Sequence, residues 1–269
     1  MLNANHSLVV HFDDQMARRN GKMGHGVLRF TANPVVGCID RHRHGENSRD
    51  VLGFGPDCPV VEDVAQALSL GGEVMVLGMA PSGGRLPSHM FEEVDRAVEG
   101  GLSVANGLHQ SLADRYLELR PGQWIWDIRK EPEGLSIASA QAASLGNRRL
   151  LTVGTDMAIG KMTAGIEIWR EAQRRGVHAE FLATGQIGIF VSGRGIALDA
   201  IRVDYACGAV ERMVLDAAGA DLQVIEGQGS ILHPGSTSTL PLLRGSCPTH
   251  LLLCHRAGSD RLEDHDVPV

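Results

Sequence analysis

Lysine is nearly absent from this chain: of 25 basic residues in 269, only Lys22, Lys130 and Lys161 are lysines. Aromatic residues make up only 4%, against 33 glycines, a balance that favours an α/β protein with many tight turns over a β-sandwich. No apolar run approaches the roughly 20 residues that cross a bilayer, and residues 1–12 lack the basic start and long apolar stretch of a secretory signal. A membrane partner is therefore not expected, and a cytoplasmic location is. No two of the five cysteines (Cys38, Cys58, Cys207, Cys247, Cys254) have CxxC spacing. That pattern fits scattered, buried thiols in a reducing compartment, with no structural zinc and no other metal expected. A formal net charge of −7 argues against a broad nucleic-acid surface, so anionic ligands need local basic pockets.

What is present is ordinary globular material: 43% hydrophobic and 21% charged residues, enough for one large core or two modest ones. Two blocks alternate apolar strands with helices, as parallel sheets require. In the first, strands are expected at 7–10, 35–40, 73–77, 102–105 and 124–128, and helices at 61–69 and 88–99. No GxGxxG follows its first strand, so the sequence motif of a dinucleotide site is missing. A polar, alanine-rich stretch, 131–149, reads as a connection. The second block is expected to carry strands at 150–153, 179–183, 222–226 and 250–254 and helices at 164–175 and around 207–219. The expected domains are 1–144 and 145–269.

One lysine stands in an informative place. Leu150-Leu151-Thr152-Val153 runs into Gly154-Thr155-Asp156-Met157-Ala158-Ile159-Gly160-Lys161-Met162-Thr163, which opens a helical segment. Strand, glycine loop, lysine and helix together make a phosphate cradle of backbone N–H groups, helix N-terminus and ammonium. The competing reading is a strand-to-helix turn with accidental glycines. The usual template has four residues between its glycines and a Ser or Thr after the lysine. Here five residues separate Gly154 from Gly160, and Met162 follows Lys161. The longer gap after Gly-Thr-Asp resembles the loop of dethiobiotin synthetase. The hydroxyl that Met162 replaces normally holds Mg²⁺ during phosphoryl transfer, and a thioether is a poor ligand for a hard cation. The loop should hold phosphate without metal-assisted cleavage of ATP.

Further motifs occur in order along the chain: Gly24-His25-Gly26-Val27-Leu28-Arg29, Gly78-Met79-Ala80-Pro81-Ser82-Gly83-Gly84-Arg85-Leu86-Pro87, Asn106-Gly107-Leu108-His109, Ala183-Thr184-Gly185-Gln186, Ile225-Glu226-Gly227-Gln228-Gly229-Ser230 and Leu253-Cys254-His255-Arg256-Ala257-Gly258. Together with the phosphate loop they resemble the bacterial D-glutamate N-acetyltransferase family over roughly 20–258. The resemblance implies an α/β fold with a Rossmann-like N-terminal domain and a P-loop NTPase-like C-terminal domain of parallel sheet. It implies transfer of acetyl from acetyl-CoA, as cosubstrate, to the amine of D-glutamate in D-amino-acid catabolism. A homo-oligomer is a further expectation. Family members extend further at the C-terminus, so a shortened second domain is expected here. On this reading Gly154, Thr155, Asp156, Gly160, Lys161, Met162 and Thr163 are the candidate contacts to coenzyme A, whose acyl transfer requires no Mg²⁺. An ATP-dependent ligase or kinase resembling dethiobiotin synthetase is the alternative, and a nucleotide-binding regulator without turnover is a third reading.

N-acetylation needs a base to take a proton from the amine. His109, after a strand, is a candidate because imidazole is the side chain suited to proton transfer near neutral pH, but it is one of 12 histidines, most of which are surface or structural. Glu226 ends a strand beside Gly227, where it serves as base or orients the amine, or is merely a carboxylate bonded to loop amides. For a dicarboxylate substrate, cationic partners are sought among Arg85, in its glycine-rich loop, and Arg29 and Lys22, flanking the Gly24–Gly26 turn. Each is equally readable as a solvated charge. His233 and Thr237 are further candidates for the cleft of Glu226. The run Arg41-His42-Arg43-His44 reads as a solvated loop, because no acidic or cysteine ligands stand at metal spacing.

Overall fold

In the computed structural model, which describes residues 2–81, 83–263 and 267–268, the chain divides into two compact units, Met1–Lys130 and Glu131–Val269. The first contains β1 (Leu8–His11), α1 (Lys22–Phe30), β2 (Val35–Ile39), α2 (Ser48–Leu52), β3 (Val60–Val61), α3 (Val64–Ser69), β4 (Val74–Leu77), α4 (Met90–Gly100), β5 (Ser103–Asn106) and β6 (Ile125–Asp127). The strands lie in the order β3-β2-β1-β4-β5-β6, and every pair is parallel. Strands buried on both faces read as continuous apolar runs, which is why Leu8, Val9 and Val10 are all fully buried. One face packs Val9, Ile39, Met75, Leu77 and Val104 against Val94 and Ala97 of α4. The chain leaves β1 toward β2 on one side and returns to β4 on the other, so a crevice opens at the carboxyl ends of β1 and β4.

The Gly24-His25-Gly26 segment is helical, inside α1, and not a turn. The glycines are needed for space: a Cβ on Gly24 would overlap the Phe12 ring, so the helix lies directly on that side chain. The short α2 and β3 escaped sequence reading because neither is long enough to show a period. Cys38 and Cys58 are not scattered either. Pairing of β2 with the segment before β3 brings their sulfurs to 3.8 Å in the buried interior.

The second unit contains β7 (Arg148–Gly154), α5 (Lys161–Arg174), β8 (Ala179–Leu182), α6 (Gln186–Ser192), α7 (Ala206–Asp216), β9 (Leu222–Ile225), α8 (Thr239–Ser246) and β10 (His250–Cys254). Its sheet has the order β10-β7-β9-β8, again all parallel. Leu151, Leu182 and Ile225 pack on Val210, Val214 and Leu242. Residues 131–144, which the sequence marks as a connection, belong to this unit by their contacts: the Ser139 N–H and hydroxyl donate to Glu211 Oε2 at 2.8 and 3.2 Å. Gln186, the last residue of the Ala183-Thr184-Gly185-Gln186 motif, begins α6; neither α6 nor α8 was expected. Among the described residues no helix is long and apolar enough to cross a membrane.

Candidate functional site

Four parallel strands present four loops along one edge of the second sheet, and β7 and β9 are neighbours. The loop leaving β7 is therefore beside the loop leaving β9. These two build a cleft of about 340 Å³ lined by 157–163 on one side and 226–229 on the other. The loop turns through two left-handed residues, Ala158 (φ 51°) and Gly160 (φ 102°), and α5 starts at Lys161 with no side-chain cap on its N-terminus, its first residues lining the cleft. Lys161 is only 6% exposed. Its Nζ donates to the Asp156 carbonyl at 2.7 Å, and burial pulls its pKa below the usual lysine range.

Of the predicted loop residues, Gly160, Lys161, Met162 and Thr163 line the cleft. Gly154, Thr155 and Asp156 support it from outside that lining. The Asp156 carboxylate is buried and accepts the N–H groups of Met157 and Glu263, both at 2.7 Å. The Thr155 carbonyl accepts the Ser230 hydroxyl at 3.0 Å, and its side chain meets His255 Nδ1 at 3.1 Å. These bonds tie the β7, β9 and β10 loops together.

Glu226 lies in the same cleft, 3% exposed. Its Oε2 accepts the N–H groups of Thr184 and Gly185 at 2.8 and 3.1 Å. Burial raises its pKa to about 7, against the opposing pull of those two N–H groups and of Lys161. Gly227 allows the crossing beneath it, since a Cβ there would overlap the Thr152 carbonyl oxygen, and its N–H donates to Thr152 Oγ1 at 2.8 Å. Glu226 is thus bonded to loop amides, and it also lines the cleft. Thr184 and Gly185 were missed as its partners. The signal was the Thr-Gly pair directly after a strand, legible only once β8 and β9 are known to be adjacent. His233 is buried and accepts the Gly235 N–H at 3.0 Å, while Nε2 meets the Glu263 carbonyl at 3.0 Å, a loop-holding role. Thr237 is exposed.

The remaining predicted residues belong to the first unit. Arg85 and His109, both exposed, stand on neighbouring loops after β4 and β5. The His109 N–H donates to the Gly84 carbonyl at 2.9 Å. The His109 turn is shaped by buried Asn106, which donates to Gln110 O and Asp127 Oδ1 at 2.7 Å and accepts the Leu108 N–H at 2.9 Å. Lys22 and Arg29 are exposed on α1. The Arg29 guanidinium lies over the Phe54 ring, 5.6 Å from its centroid. Arg29 and Lys22 are thus on a helix surface, whereas Arg85 and His109 come together at strand ends.

A P-loop domain model, described as "Domain of unknown function (DUF1611_C)", matches residues 136–269, and a Rossmann-like one, "DUF1611_N", matches 41–131. The chain belongs to this family. A crystal structure of a DUF1611 family protein from Anabaena variabilis is similar over 98% of this chain and 78% of that one, at 46% identity and a TM-score of 0.93. Two curated relatives carry the name D-glutamate N-acetyltransferase. One, from Pseudoalteromonas sp., is 36% identical over 71% of this chain, which spans 59% of the relative's length. The other, from Tritonibacter scottomollicae, is 32% identical over 89% of this chain and 74% of its own. The α/β fold, with a Rossmann-like first domain and a P-loop second domain, therefore stands on both family match and topology.

Proposed function

We propose that this family member transfers the acetyl group of acetyl-CoA to the amine of D-glutamate. The observation that carries the reading is a phosphate loop with Met162 in place of the metal-holding hydroxyl, facing a buried carboxyl poised near neutrality. The name shared by two relatives supplies the substrate pair. The free N–H groups of α5 and the Lys161 ammonium hold a phosphate of coenzyme A, and the carboxylate of Glu226 takes the proton that the attacking amine loses. The new C–N bond forms at the thioester carbonyl, the C–S bond breaks, and the thiolate leaves. A base with a pKa near the working pH is the efficient one.

His109 is the second candidate base, and Arg85, with its strand-end position, is favoured over Arg29 and Lys22 for a substrate carboxylate. The same reading includes a homo-oligomer working in a reducing cytoplasm, where the five free cysteines stay thiols. The rival, an ATP-dependent ligase or kinase, has Glu226 and the Gly-Thr-Asp loop in its favour and Met162 against it. Thiol release from acetyl-CoA, measured across D- and L-amino acids, is expected to be strongest with D-glutamate. Tight Mg²⁺-dependent ATP binding, with no thiol released by any amino acid, would overturn the reading.

A further inference from the structure

The carboxyl edge of the first sheet holds a cavity that neither the phosphate loop nor the predicted substrate residues account for. It measures about 360 Å³ and is lined by Asp14, Ala17, Arg18, Asp40, His42 and Arg43. Asp40 closes β2, is 1% exposed, and satisfies only one oxygen: Oδ2 accepts the Met16 N–H at 2.9 Å, while Oδ1 has no partner among the described residues. A buried carboxyl oxygen in this state is open to a donor from outside the chain. Asp14, on the loop after β1, accepts the His42 N–H at 3.3 Å and brings a second carboxylate to the same space. Arg18 has no polar side-chain partner among the described residues, and Arg43 makes one long ion pair to Glu46, at 3.4 Å.

An acidic residue at the end of the second strand of a Rossmann sheet is where a ribose would bind in a dinucleotide site. The loop after β1 rejects that ligand. Where the dinucleotide fingerprint has glycines, this chain has Asp13 and Asp14, and a pyrophosphate there would meet carboxylates. Two carboxylates and two free-reaching guanidiniums around one small cavity match a zwitterion instead. We propose that this cavity seats a dicarboxylate α-amino acid, its ammonium on Asp40 and Asp14 and its carboxylates on Arg18 and Arg43; D-glutamate, the amino acid of the proposed transfer, is the ligand to test, a choice that rests on that reading. The basic run at 41–44 is then not merely solvated; one of its members, Arg43, faces a ligand.

Isothermal titration of the full chain with D-glutamate, with and without coenzyme A, tests this. Asp40→Asn keeps an acceptor for the Met16 N–H, and Arg18→Ala and Arg43→Ala alter half-buried or exposed side chains, so far-UV circular dichroism should be unchanged. Each variant is expected to weaken D-glutamate binding by roughly tenfold or more, to leave coenzyme A binding unaltered, and NAD⁺ is expected to give no heat. The proposal is overturned if D-glutamate gives no heat in either titration, if the three variants bind it like the parent, if only Arg85→Ala loses it, or if NAD⁺ binds and Asp40→Asn removes that binding. Binding that depends on Asp40 and Arg43 without thiol release would sink the acetyl-transfer reading and leave this seat standing. Thiol release with binding indifferent to both residues would do the reverse.

Discussion

The two units share one architecture and oppose one another in chemistry. Each is a parallel sheet with ligand-ready loops at its carboxyl edge. In the second unit that edge offers helix N–H groups and a lysine, suited to phosphate. In the first, the corresponding loop after β1 offers Asp13 and Asp14 instead, both with left-handed backbone, at φ 50° and 59°. At each edge burial also opposes the charge of titratable groups, and one from each shows the contrast. Glu226 is held toward its neutral acid, with a pKa of about 7. His11, at the end of β1, is held neutral: burial, then the nearby Arg41 guanidinium, lower its pKa to about 3. Its Nδ1 accepts the Asp13 N–H at 3.1 Å, so the proton is on Nε2. Fold class, then, leaves ligand charge undecided; a few loop residues decide it.

The largest expected effect breaks the second edge. Glu226→Gln should lower steady-state thiol release by roughly 100- to 10,000-fold if that carboxylate is the base, while His109→Ala should cost far less; the reverse ranking would move the base to the first unit. Lys161→Ala should weaken acetyl-CoA binding by roughly ten- to a hundredfold in calorimetry, with helix content unchanged.

Stability against pH should run in opposite directions in the two units. For Glu226 the folded pKa lies above the ordinary 4.5, so its protonated form stabilises fully below pH 4.5 and that contribution is lost as pH rises to about 7. For His11 the folded pKa lies below 6.5, so its contribution is complete above pH 6.5 and is lost as pH falls toward 3. Each slope approaches about 1.4 kcal/mol per pH unit within its window. Denaturant titrations read the units separately, through Trp169 in a Trp124→Phe, Trp126→Phe background and through those two tryptophans in Trp169→Phe. Glu226→Gln and His11→Asn should each flatten one profile alone. The smallest effect is Met162→Thr, which should change kcat/KM less than about threefold, because a hydroxyl has no metal to hold in acyl transfer. A large gain in Mg²⁺-dependent ATP hydrolysis instead would favour the ligase reading.

Much of this was legible in one dimension. Val74–Leu77 is an apolar run that reads as a buried strand, and the Gly160-Lys161 loop reads as a phosphate cradle from its own residues. Gly24 misled, because a glycine that makes room for Phe12 looks the same in sequence as one that makes a turn. The partners of Glu226, Thr184 and Gly185, were hidden because they lie 42 and 41 residues away.

Local sequence alone set the alternation of strands and helices, the phosphate loop and the missing metal hydroxyl, since these depend on neighbours along the chain. Tertiary structure decided which loops share an edge, that Glu226 is buried enough to keep its proton near neutrality, and that Asp40 is buried with an oxygen unmet. Burial and strand order are properties of distant residues brought together, and desolvation, which governs those carboxyls, exists only once the sheets have closed over them.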